Sequence, residues 1–436
     1  MRPRVAVVHH SRRGTMRALA LAAAEGARAG GARVRLLRVA DEGEGGGRWP
    51  EPVAGPDDVL WADGLVLATP TYFGNVSAAF KRFLETTSPL WRQGLLADRL
   101  VTGMTASTCT HGGREATLLS LHQTAYHWGS WVVGADPADP VFRAVGGNPY
   151  GLSVESRPRG ADGTGTGTGT GTGIGIGSAE EEAARLLGHR LAELTSRARP
   201  TAAAPTARGP VRVTVVHCAD SGPARLLAQE CAAGARSVGA RVRLRRVVGT
   251  SGSAREDAAG WTGPPAALAT PEDVAWADAV VFGGPARLGA MAPPLLAFLQ
   301  ALEPAAGTGP LSGKPASGFV ATARPHAGSE SALLAFHHVL LHSGAVVVPP
   351  GYTDPAVFAA GGNPYGTSHP LTAGAVTRAV REAARHQGRR AALTGDLLRR
   401  AAGENTGRKA GGKVGGKVGR SAGESAEVIG NAREIA

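Results

Sequence analysis

Residues 4–15 read Arg-Val-Ala-Val-Val-His-His-Ser-Arg-Arg-Gly-Thr, a short apolar run followed by a small polar loop. The run predicts a buried β-strand, Arg4–His9, because it is continuous rather than alternating, as in parallel strands that are covered on both faces. The alanine-rich stretch behind the loop predicts a helix, Gly14–Ala29. A strand, a polar loop and a helix in this order are typical of the repeating unit of α/β proteins.

The same alternation continues toward residue 197. Further apolar runs predict four more strands, and the segments between them have the length of helices. The last helix is expected to open at Ser178, where Glu181 three residues later suggests a capping box. The pattern predicts a doubly wound α/β sandwich. The expected strands are Arg33–Val39, Gly64–Ala68, Leu100–Ala106 and Trp131–Gly134, and the expected helices are Gly74–Thr87, Gly112–Trp128 and 178 to about 197.

A later part of the chain repeats the first part at a constant offset. Residues 56–63, Pro-Asp-Asp-Val-Leu-Trp-Ala-Asp, return as Pro-Glu-Asp-Val-Ala-Trp-Ala-Asp at 271–278. The hexapeptide Gly-Gly-Asn-Pro-Tyr-Gly at 146–151 returns unchanged at 361–366, so both pairs are 215 positions apart. Because a constant offset over such a length does not arise by chance, the sequence predicts a tandem duplication.

The duplication and the composition together predict the domain organisation. We expect two α/β domains, a linker rich in Pro, Ala and Thr, and a low-complexity tail that is disordered. A tract that alternates Gly and Thr is expected to be a flexible insert before the last helix of the first domain. The expected ranges are 1–197 and 211–401 for the domains, 198–210 for the linker, 163–173 for the insert, 249–260 for seven extra residues of the second copy, and 402–436 for the tail.

Composition excludes several classes of protein. The net charge is +12, but the arginines are scattered and aromatic residues make up only 5%, which disfavours a specific nucleic-acid surface. Three cysteines, Cys109, Cys218 and Cys231, cannot build a disulfide framework or a four-cysteine zinc site. His338 and His342 are spaced as metal ligands but have no third candidate, so no metal is expected. No apolar run reaches the length of a membrane span, and we expect a cytoplasmic protein.

Three loops of the first domain carry the candidate binding residues. Ligands of open α/β sheets bind beyond the carboxyl ends of the strands. Ser11–Met16, after the first strand, combines hydroxyls, a glycine and two arginines with a helix start, which favours a phosphate cradle, although an ordinary strand–helix turn is the alternative. Thr71–Asn75 and Ser107–Gly112 follow the third and fourth strands. The three loops together predict a flavin mononucleotide (FMN) site, with the phosphate on the first loop and the ring between the other two.

Several motifs, in this order, resemble those of one family. They are Val-Ala-Val-Val-His-His-Ser-Arg-Arg-Gly at 5–14, Pro-Thr-Tyr-Phe-Gly-Asn-Val at 70–76, Phe-Leu-Glu-Thr-Thr-Ser-Pro-Leu-Trp at 83–91, His-Gly-Gly-Arg-Glu-Ala-Thr at 111–117, and the hexapeptide at 146–151. The sequence is similar to the WrbA-type NAD(P)H:quinone oxidoreductases of the flavodoxin-like superfamily. The resemblance covers nearly all of 1–197 and, more faintly, 211–400.

The resemblance implies two five-stranded parallel sheets of strand order 2-1-3-4-5 and a two-electron transfer from NAD(P)H through FMN to a quinone-like acceptor. It also implies a homo-oligomer, here a dimer of chains that imitates the family's tetramer. His127 would be the ring-side histidine and Trp91 the aromatic residue that packs on the substrate. The implied cofactor-binding residues are Ser11, Arg12, Arg13, Gly14, Thr15, Met16, Thr71, Tyr72, Phe73, Gly74, Asn75, Ser107, Thr108, Cys109, Thr110, His111, Gly112 and His127.

The second copy has drifted at its ligand loops. Its first loop carries Asp220 beside the expected phosphate position and Pro223 at the helix start, where an amide would be lost. We therefore expect one FMN per chain, bound by the first copy. The alternative is a non-catalytic flavodoxin-like scaffold or a flavin-binding regulatory protein.

Overall fold

The computed structural model describes residues 2–41, 49–158, 174–199, 209–218, 222–247, 266–302, 309 and 311–400. The predicted Gly/Thr insert at 163–173, the segment 249–260, most of the linker, Asp220 and the tail lie outside the described residues. Among the described residues, no helix is long and apolar enough to cross a membrane.

The first half alternates strands and helices as the sequence predicts. Its elements, in chain order, are β1 Arg4–His9, α1 Thr15–Ala29, β2 Arg33–Arg38, α2 Pro56–Trp61, β3 Gly64–Pro70, α3 Ala78–Thr86, α4 Ser88–Arg92, β4 Leu100–Ser107, α5 Arg114–Trp128, β5 Trp131–Val133, α6 Pro140–Ala144, β6 Leu152–Glu155, β7 Arg157–Pro158, β8 Ile174–Gly175 and α7 Ser178–Ala198.

The sheet of the first half has the predicted order. Its strands run β2-β1-β3-β4-β5 and all these pairs are parallel. The fifth position is divided, because β5 pairs with the start of β4 while β6 pairs with its end. The segment between β5 and β6, which contains α6, leaves the sheet. Strand β6 was not predicted from the sequence, although Leu-Ser-Val-Glu alternates apolar and polar residues as a strand does.

One predicted helix cap and one predicted helix start are wrong, whereas the last helix starts at Ser178 as predicted. The last helix of this half has Gly177 as its N-cap, with no side-chain hydrogen bond, so the Ser178–Glu181 capping box does not form. The predicted helix 74–87 starts later, at Ala78, because Gly74 belongs to a tight turn and the Ser77 side chain caps the helix by accepting from the Phe80 amide.

The second half repeats the arrangement. Its elements are β9 Arg212–Cys218, α8 Gly222–Arg236, β10 Arg241–Val247, β11 Ala267–Leu268, α9 Pro271–Trp276, β12 Ala279–Arg287, β13 Ala290–Met291, α10 Pro293–Ala301, β14 Pro315–Thr322, α11 Ser331–His342, β15 Val346–Val347, α12 Pro355–Ala359, β16 Ser368–Pro370, a 3₁₀ turn Leu371–Ala373 and α13 Arg378–Arg400. The central order is β10-β9-β12-β14-β15, again 2-1-3-4-5.

The two predicted sheets are joined into one. β5 and β15 pair edge to edge in antiparallel fashion, with Val133 opposite Val346 and Val132 opposite Val347. All four valines are buried, which covers two strand edges that would otherwise expose unpaired backbone groups. Because the strands of the two halves run in opposite directions, the carboxyl edge of each half lies beside the amino edge of the other.

Candidate functional site

Three loops of the first half meet in one cleft of about 430 Å³ at the carboxyl ends of β1, β3 and β4. Its volume lies within the usual range for small-molecule sites, about 300–1,000 Å³. The residues predicted from sequence that line it are Ser11, Arg12, Arg13, Thr15, Met16, Thr71, Tyr72, Phe73, Ser107, Thr108, Cys109 and Gly112.

The lining differs from the prediction at a few positions. Gly14, Gly74, Asn75, Thr110 and His111 belong to the same loops but do not line the cleft. Lining residues that the sequence analysis missed are Pro70, Ala106 and Ser156. Ser156 follows the overlooked strand β6, so the alternating pattern of that strand was the signal that could have revealed it.

The first loop presents hydrogen-bond donors and no acid. Helix α1 starts after Gly14, has no acidic residue in its first turn, and has no side-chain cap. The first amides of a helix have no intrahelical acceptor, and their dipoles favour an anion. Ser156 adds a hydroxyl, which donates to the Thr15 hydroxyl at 3.3 Å. The exposed side chain of Arg13 adds positive charge at the rim, and the exposed Arg12 beside it is paired with Asp41 at 3.7 Å.

A second segment supports this loop from outside the cleft. The Trp49 indole Nε1 donates to the Ser11 carbonyl oxygen at 2.5 Å. Glu51 forms an ion pair with Arg17 at 2.7 Å; although burial raises the pKa of Glu51, the Arg17 hydrogen bond brings it below its usual value. Burial lowers the pKa of neighbouring His9 to about 4, so His9 is neutral near pH 7. The positive charge of Arg17 is therefore compensated inside the protein.

A buried hydrogen-bonded chain links Ser77, His10 and Asp41. The His10 Nδ1 lies 2.7 Å from the Ser77 hydroxyl, and its Nε2 lies 2.7 Å from the Asp41 carboxylate. These residue types also make up the triad of serine hydrolases, but Ser77 and His10 are each only 2% exposed. A substrate has no access to this hydroxyl, which instead caps α3. The chain of bonds ties the ends of β1 and β2 to the start of α3.

The second loop is a tight turn that projects an aromatic side chain. The Tyr72 amide donates to the Asn75 carbonyl at 2.9 Å and the Asn75 amide donates back to Tyr72 at 2.9 Å. Phe73 has φ 52° and Gly74 φ 75°, both in the left-handed region that such two-residue turns require. The Phe73 side chain is fully exposed. A non-glycine residue in this region costs about 1 kcal/mol or more, and such strain concentrates at functional sites.

The second and third loops are held against each other. Gly113 has φ 85°, and a Cβ there would lie 2.8 Å from the Gly74 Cα, so this approach requires glycine. The Thr71 hydroxyl contacts the Thr117 hydroxyl and donates to the Gly113 carbonyl at 3.3 Å. Within the third loop, the Ser107 hydroxyl donates to the Cys109 carbonyl at 2.5 Å. The spacing between the two loops is therefore fixed by backbone contacts.

The structure does not bring His127 and Trp91 to this cleft. Helix α5 starts beside the two loops, and His127 lies thirteen residues further on, about 20 Å along the helix axis. Trp91 Nε1 donates to the His127 carbonyl at 2.9 Å, and the Trp91 ring packs at 5.7 Å against Tyr352 of the second half. Both residues therefore lie at the junction of the two halves, at the far end of α5.

Two histidine–tyrosine pairs cross this junction symmetrically. His127 Nε2 is hydrogen-bonded to the Tyr365 hydroxyl at 3.1 Å, and His342 Nε2 to the Tyr150 hydroxyl at 3.1 Å. Each residue of one pair lies 215 positions from its counterpart in the other. Burial, with a smaller contribution from Glu115, raises the pKa of Tyr150. Because Gly151, next to Tyr150, packs against Leu118 near the start of α5, the pair that lies toward the cleft is Tyr150–His342.

A second symmetric pair of histidines is buried beside the first. His122 on α5 and His337 on α11 are both fully buried, and burial lowers the pKa of each to about 3. The His337 ring packs at 4.7 Å against Tyr126. His122 and His337 are therefore neutral at pH 7, in an interior rich in aromatic rings.

The residues of the cleft fit FMN. An acid-free helix start with adjacent hydroxyls and two arginines suits a phosphate monoester. Two loops that are fixed against each other, with exposed Tyr72 and Phe73 on one side and exposed Thr108 and Cys109 on the other, suit a planar ring.

Comparisons with known proteins identify the family of the chain. The family model for NADPH-dependent FMN reductase matches residues 3–140 and again residues 211–355. An NAD(P)H dehydrogenase (quinone) of Deinococcus radiodurans is 38% identical over 164 residues, covering 35% of this chain and 82% of that protein. Another, of Acidithiobacillus ferrooxidans, is 33% identical over 171 residues, covering 36% and 86%. A solved structure of a flavodoxin, WrbA-like protein from Agrobacterium tumefaciens has 23% identity, covers 45% of this chain and 99% of its own, and has a TM-score of 0.33. The chain belongs to the NADPH-dependent FMN reductase family.

Proposed function

We propose that the first half binds FMN in the cleft and catalyses the transfer of two electrons from NAD(P)H to a quinone-like acceptor. The observation that carries the proposal is the meeting of the three loops after β1, β3 and β4 in one cleft that combines an acid-free helix start with two facing ring loops. The names of the relatives, NAD(P)H dehydrogenase (quinone), support the donor and acceptor. Bound FMN supplies the hydride and electron chemistry.

The protein contributes binding and orientation. The first-turn amides of α1, with Ser11, Thr15 and Ser156, hold the phosphate. The turn at Phe73 and the Ser107–Gly112 loop hold the ring between them, and the Gly113–Gly74 contact fixes their separation. The open side of the cleft is where donor and acceptor enter in turn.

We also propose that the two halves are a tandem duplication in which the second half serves as a covalently attached partner. The double match of the family model and the repeated strand order support this interpretation. Tethering gives the partner a high effective concentration. In this arrangement the histidine that lies toward the FMN cleft of the first half is His342, which is hydrogen-bonded to Tyr150. His127 is hydrogen-bonded to Tyr365 of the second half. A dimer of such chains in the cytoplasm is part of the same proposal.

Flavin content and reduction test the proposal together. The purified chain, incubated with FMN and passed through gel filtration, should retain one FMN per chain; NADH or NADPH should bleach it anaerobically, and a quinone should restore the colour. A protein that FMN does not colour would refute the proposal. A yellow protein that neither dinucleotide bleaches would support a flavin-binding protein without this activity.

A matched pair of variants tests the location. Ser156→Leu copies Leu371, its counterpart 215 positions later, and should reduce FMN retention because it replaces a hydroxyl of the phosphate site with an apolar side chain. The reverse change in the second half, Leu371→Ser, should leave FMN retention unchanged. Equal effects of both changes would contradict binding by the first half alone.

A further inference from the structure

A second, larger cavity of about 880 Å³ lies between the two halves, away from the FMN cleft. Its walls are the amino ends of first-half strands, the loop before β4, the C-terminal end of α7 and helix α13. We call it the junction cavity; residues that define it are Asp98, Arg99, Trp131, Tyr352, Arg390 and Leu393. Ligand sites occur preferentially at such interfaces between domains.

The carboxylates that line the junction cavity already have cationic partners. Asp63 is paired with Arg4 at 2.8 Å and also with Arg199. Asp98 is paired with Arg390 at 2.8 Å, and Asp396 has Arg399 at 2.7 Å. The negative charge on the lining is therefore compensated within the protein.

Arg99 differs from these arginines. Its Nε and one terminal nitrogen donate to the Leu95 carbonyl at 3.2 and 2.9 Å, which leaves the other terminal nitrogen available. No carboxylate of the described residues lies within ion-pair distance of it. Burial lowers the pKa of Arg99, with only a weaker opposing effect from Asp63. A partly buried guanidinium without a counter-ion is costly, and an anion in the cavity would relieve that cost.

The second half does not repeat this feature. Lys314 stands 215 positions after Arg99. Its ammonium donates to the carbonyls of Val274 and Ala275 at 2.9 and 3.1 Å, at the C-terminal end of α9. The Lys314 charge is thereby used to cap a helix, a favourable position for a cation. The uncompensated charge is therefore specific to the junction cavity and is not a general property of this position in the fold.

Arg390 makes this wall of the cavity rigid. Its side chain is 8% exposed and donates to the Gly129 carbonyl at 2.9 Å and to the Pro349 carbonyl at 3.1 Å, in addition to its ion pair with Asp98. One side chain of α13 thus binds backbone from both halves. The cavity walls are pre-organised, which lowers the entropic cost of binding.

The remaining lining is largely apolar. Leu393 is 52% exposed on α13, and Leu100, Trp131 and Leu397 lie on the same cavity. We propose that the junction cavity is a binding site for an organic monoanion with an aromatic body, whose acidic group pairs with Arg99 while the ring system packs against Leu393 and the partly exposed Leu397. The proposal does not depend on the function of the FMN cleft.

Binding of 1-anilinonaphthalene-8-sulfonate, an aromatic monoanion, tests the proposal on the full chain saturated with FMN. We expect one bound probe per chain by fluorescence titration, with the same affinity with and without FMN. Arg99→Gln should weaken binding at least tenfold, and Arg92→Gln, which removes an exposed charge on nearby α4, should not change it. Displacement of the probe by FMN, or equal affinity in Arg99→Gln and the parent protein, would overturn the proposal.

A second variant guards against misfolding of Arg99→Gln. Leu393→Glu changes a half-exposed side chain and places a negative charge in the cavity, so it should weaken probe binding at least tenfold while the thermal midpoint stays that of the parent protein. Unchanged probe affinity in a folded Leu393→Glu protein would equally overturn the proposal.

Discussion

The two halves of the chain share the backbone of the ring loop but not the side chains around it. Phe73 and its counterpart Leu288 have φ 52° and 54°, and both are fully exposed on the same turn. A Cβ on Gly328 would approach the Gly289 Cα to 3.0 Å, as on Gly113 it would approach Gly74. The close packing of the two ring loops therefore exists in both halves.

Four hydroxyls in or beside the first-half cleft are absent from the second half, whereas Thr322 keeps the hydroxyl of Ser107. The counterparts of Thr71, Thr117, Ser77 and Ser156 are alanine, alanine, alanine and leucine at 286, 332, 292 and 371. Ala292 accordingly gives α10 an N-cap without a side-chain hydrogen bond. The backbone of the ring loops is therefore kept in both halves, and we expect cofactor binding to depend on the polar side chains that differ between them.

The largest expected effect is on the phosphate loop. Ser11→Asp should lower FMN affinity at least about 100-fold, because a unit charge about 4 Å from another at an effective dielectric near 20 costs roughly 4 kcal/mol. Fluorescence titration with FMN measures it. Ser237→Asp, an exposed serine of the second half, is the control and should leave the affinity unchanged. An unchanged FMN affinity in Ser11→Asp would show that this loop does not bind the phosphate.

The next largest effect is on stability, and it compares the end of β1 with the end of its counterpart β9. His10→Ala leaves the buried Ser77 and Asp41 without their partner and should lower the free energy of unfolding by about 3 kcal/mol. Cys218 occupies the end of the corresponding strand β9, and Cys218→Ala should cost about 1 kcal/mol, since it shortens a small buried side chain. Urea denaturation compares them, and similar losses would refute the role given to His10.

The buried histidines should act equally in both halves. His122 and His337 have a pKa of about 3 in the folded protein, against 6.5 ordinarily, so the unfolded chain binds their protons first as the pH falls. Stability is therefore lost below about pH 6.5, and each histidine contributes about 2 kcal/mol of loss between pH 7 and 5. Urea denaturation at pH 7 and pH 5 measures the loss of stability between the two. In His122→Leu and in His337→Leu this loss should be smaller than in the parent protein by about 2 kcal/mol. An unchanged pH dependence would contradict their burial as neutral groups.

The smallest expected effects concern the two histidine–tyrosine hydrogen bonds between the halves. Both should stabilise the fold equally, but one alone should affect the reaction. Tyr150→Phe and Tyr365→Phe each remove one hydrogen bond to a histidine of the other half and should cost about 1 kcal/mol of stability. Only Tyr150→Phe should also change quinone reduction, because its pair lies toward the FMN cleft. An equal change in turnover from both variants would indicate that both halves are active.

Much of the fold was predictable because its signals are local. Arg4–His9 was predicted with the observed bounds, and the other first-half strands to within two residues, since continuous apolar runs identify buried parallel strands. The three loops that line the cleft followed from their composition and from their place after the strands, because parallel strands have their carboxyl ends at one edge. The alternation of β6 was a local signal that was overlooked, but its place beside β5 was not predictable, because a long excursion separates the two strands.

The sequence by itself determined the strand order through its resemblance, the repeat at 215 positions, and the candidate phosphate and ring loops. Only the tertiary structure decided that the halves join through β5 and β15, that His127 faces the second half, and that Arg99 lines a cavity without a counter-ion. Periodicity and loop composition are properties of neighbouring residues, and they fix each unit. The antiparallel edge contact brings together residues more than two hundred positions apart, and no local pattern specifies which end of one half meets which end of the other.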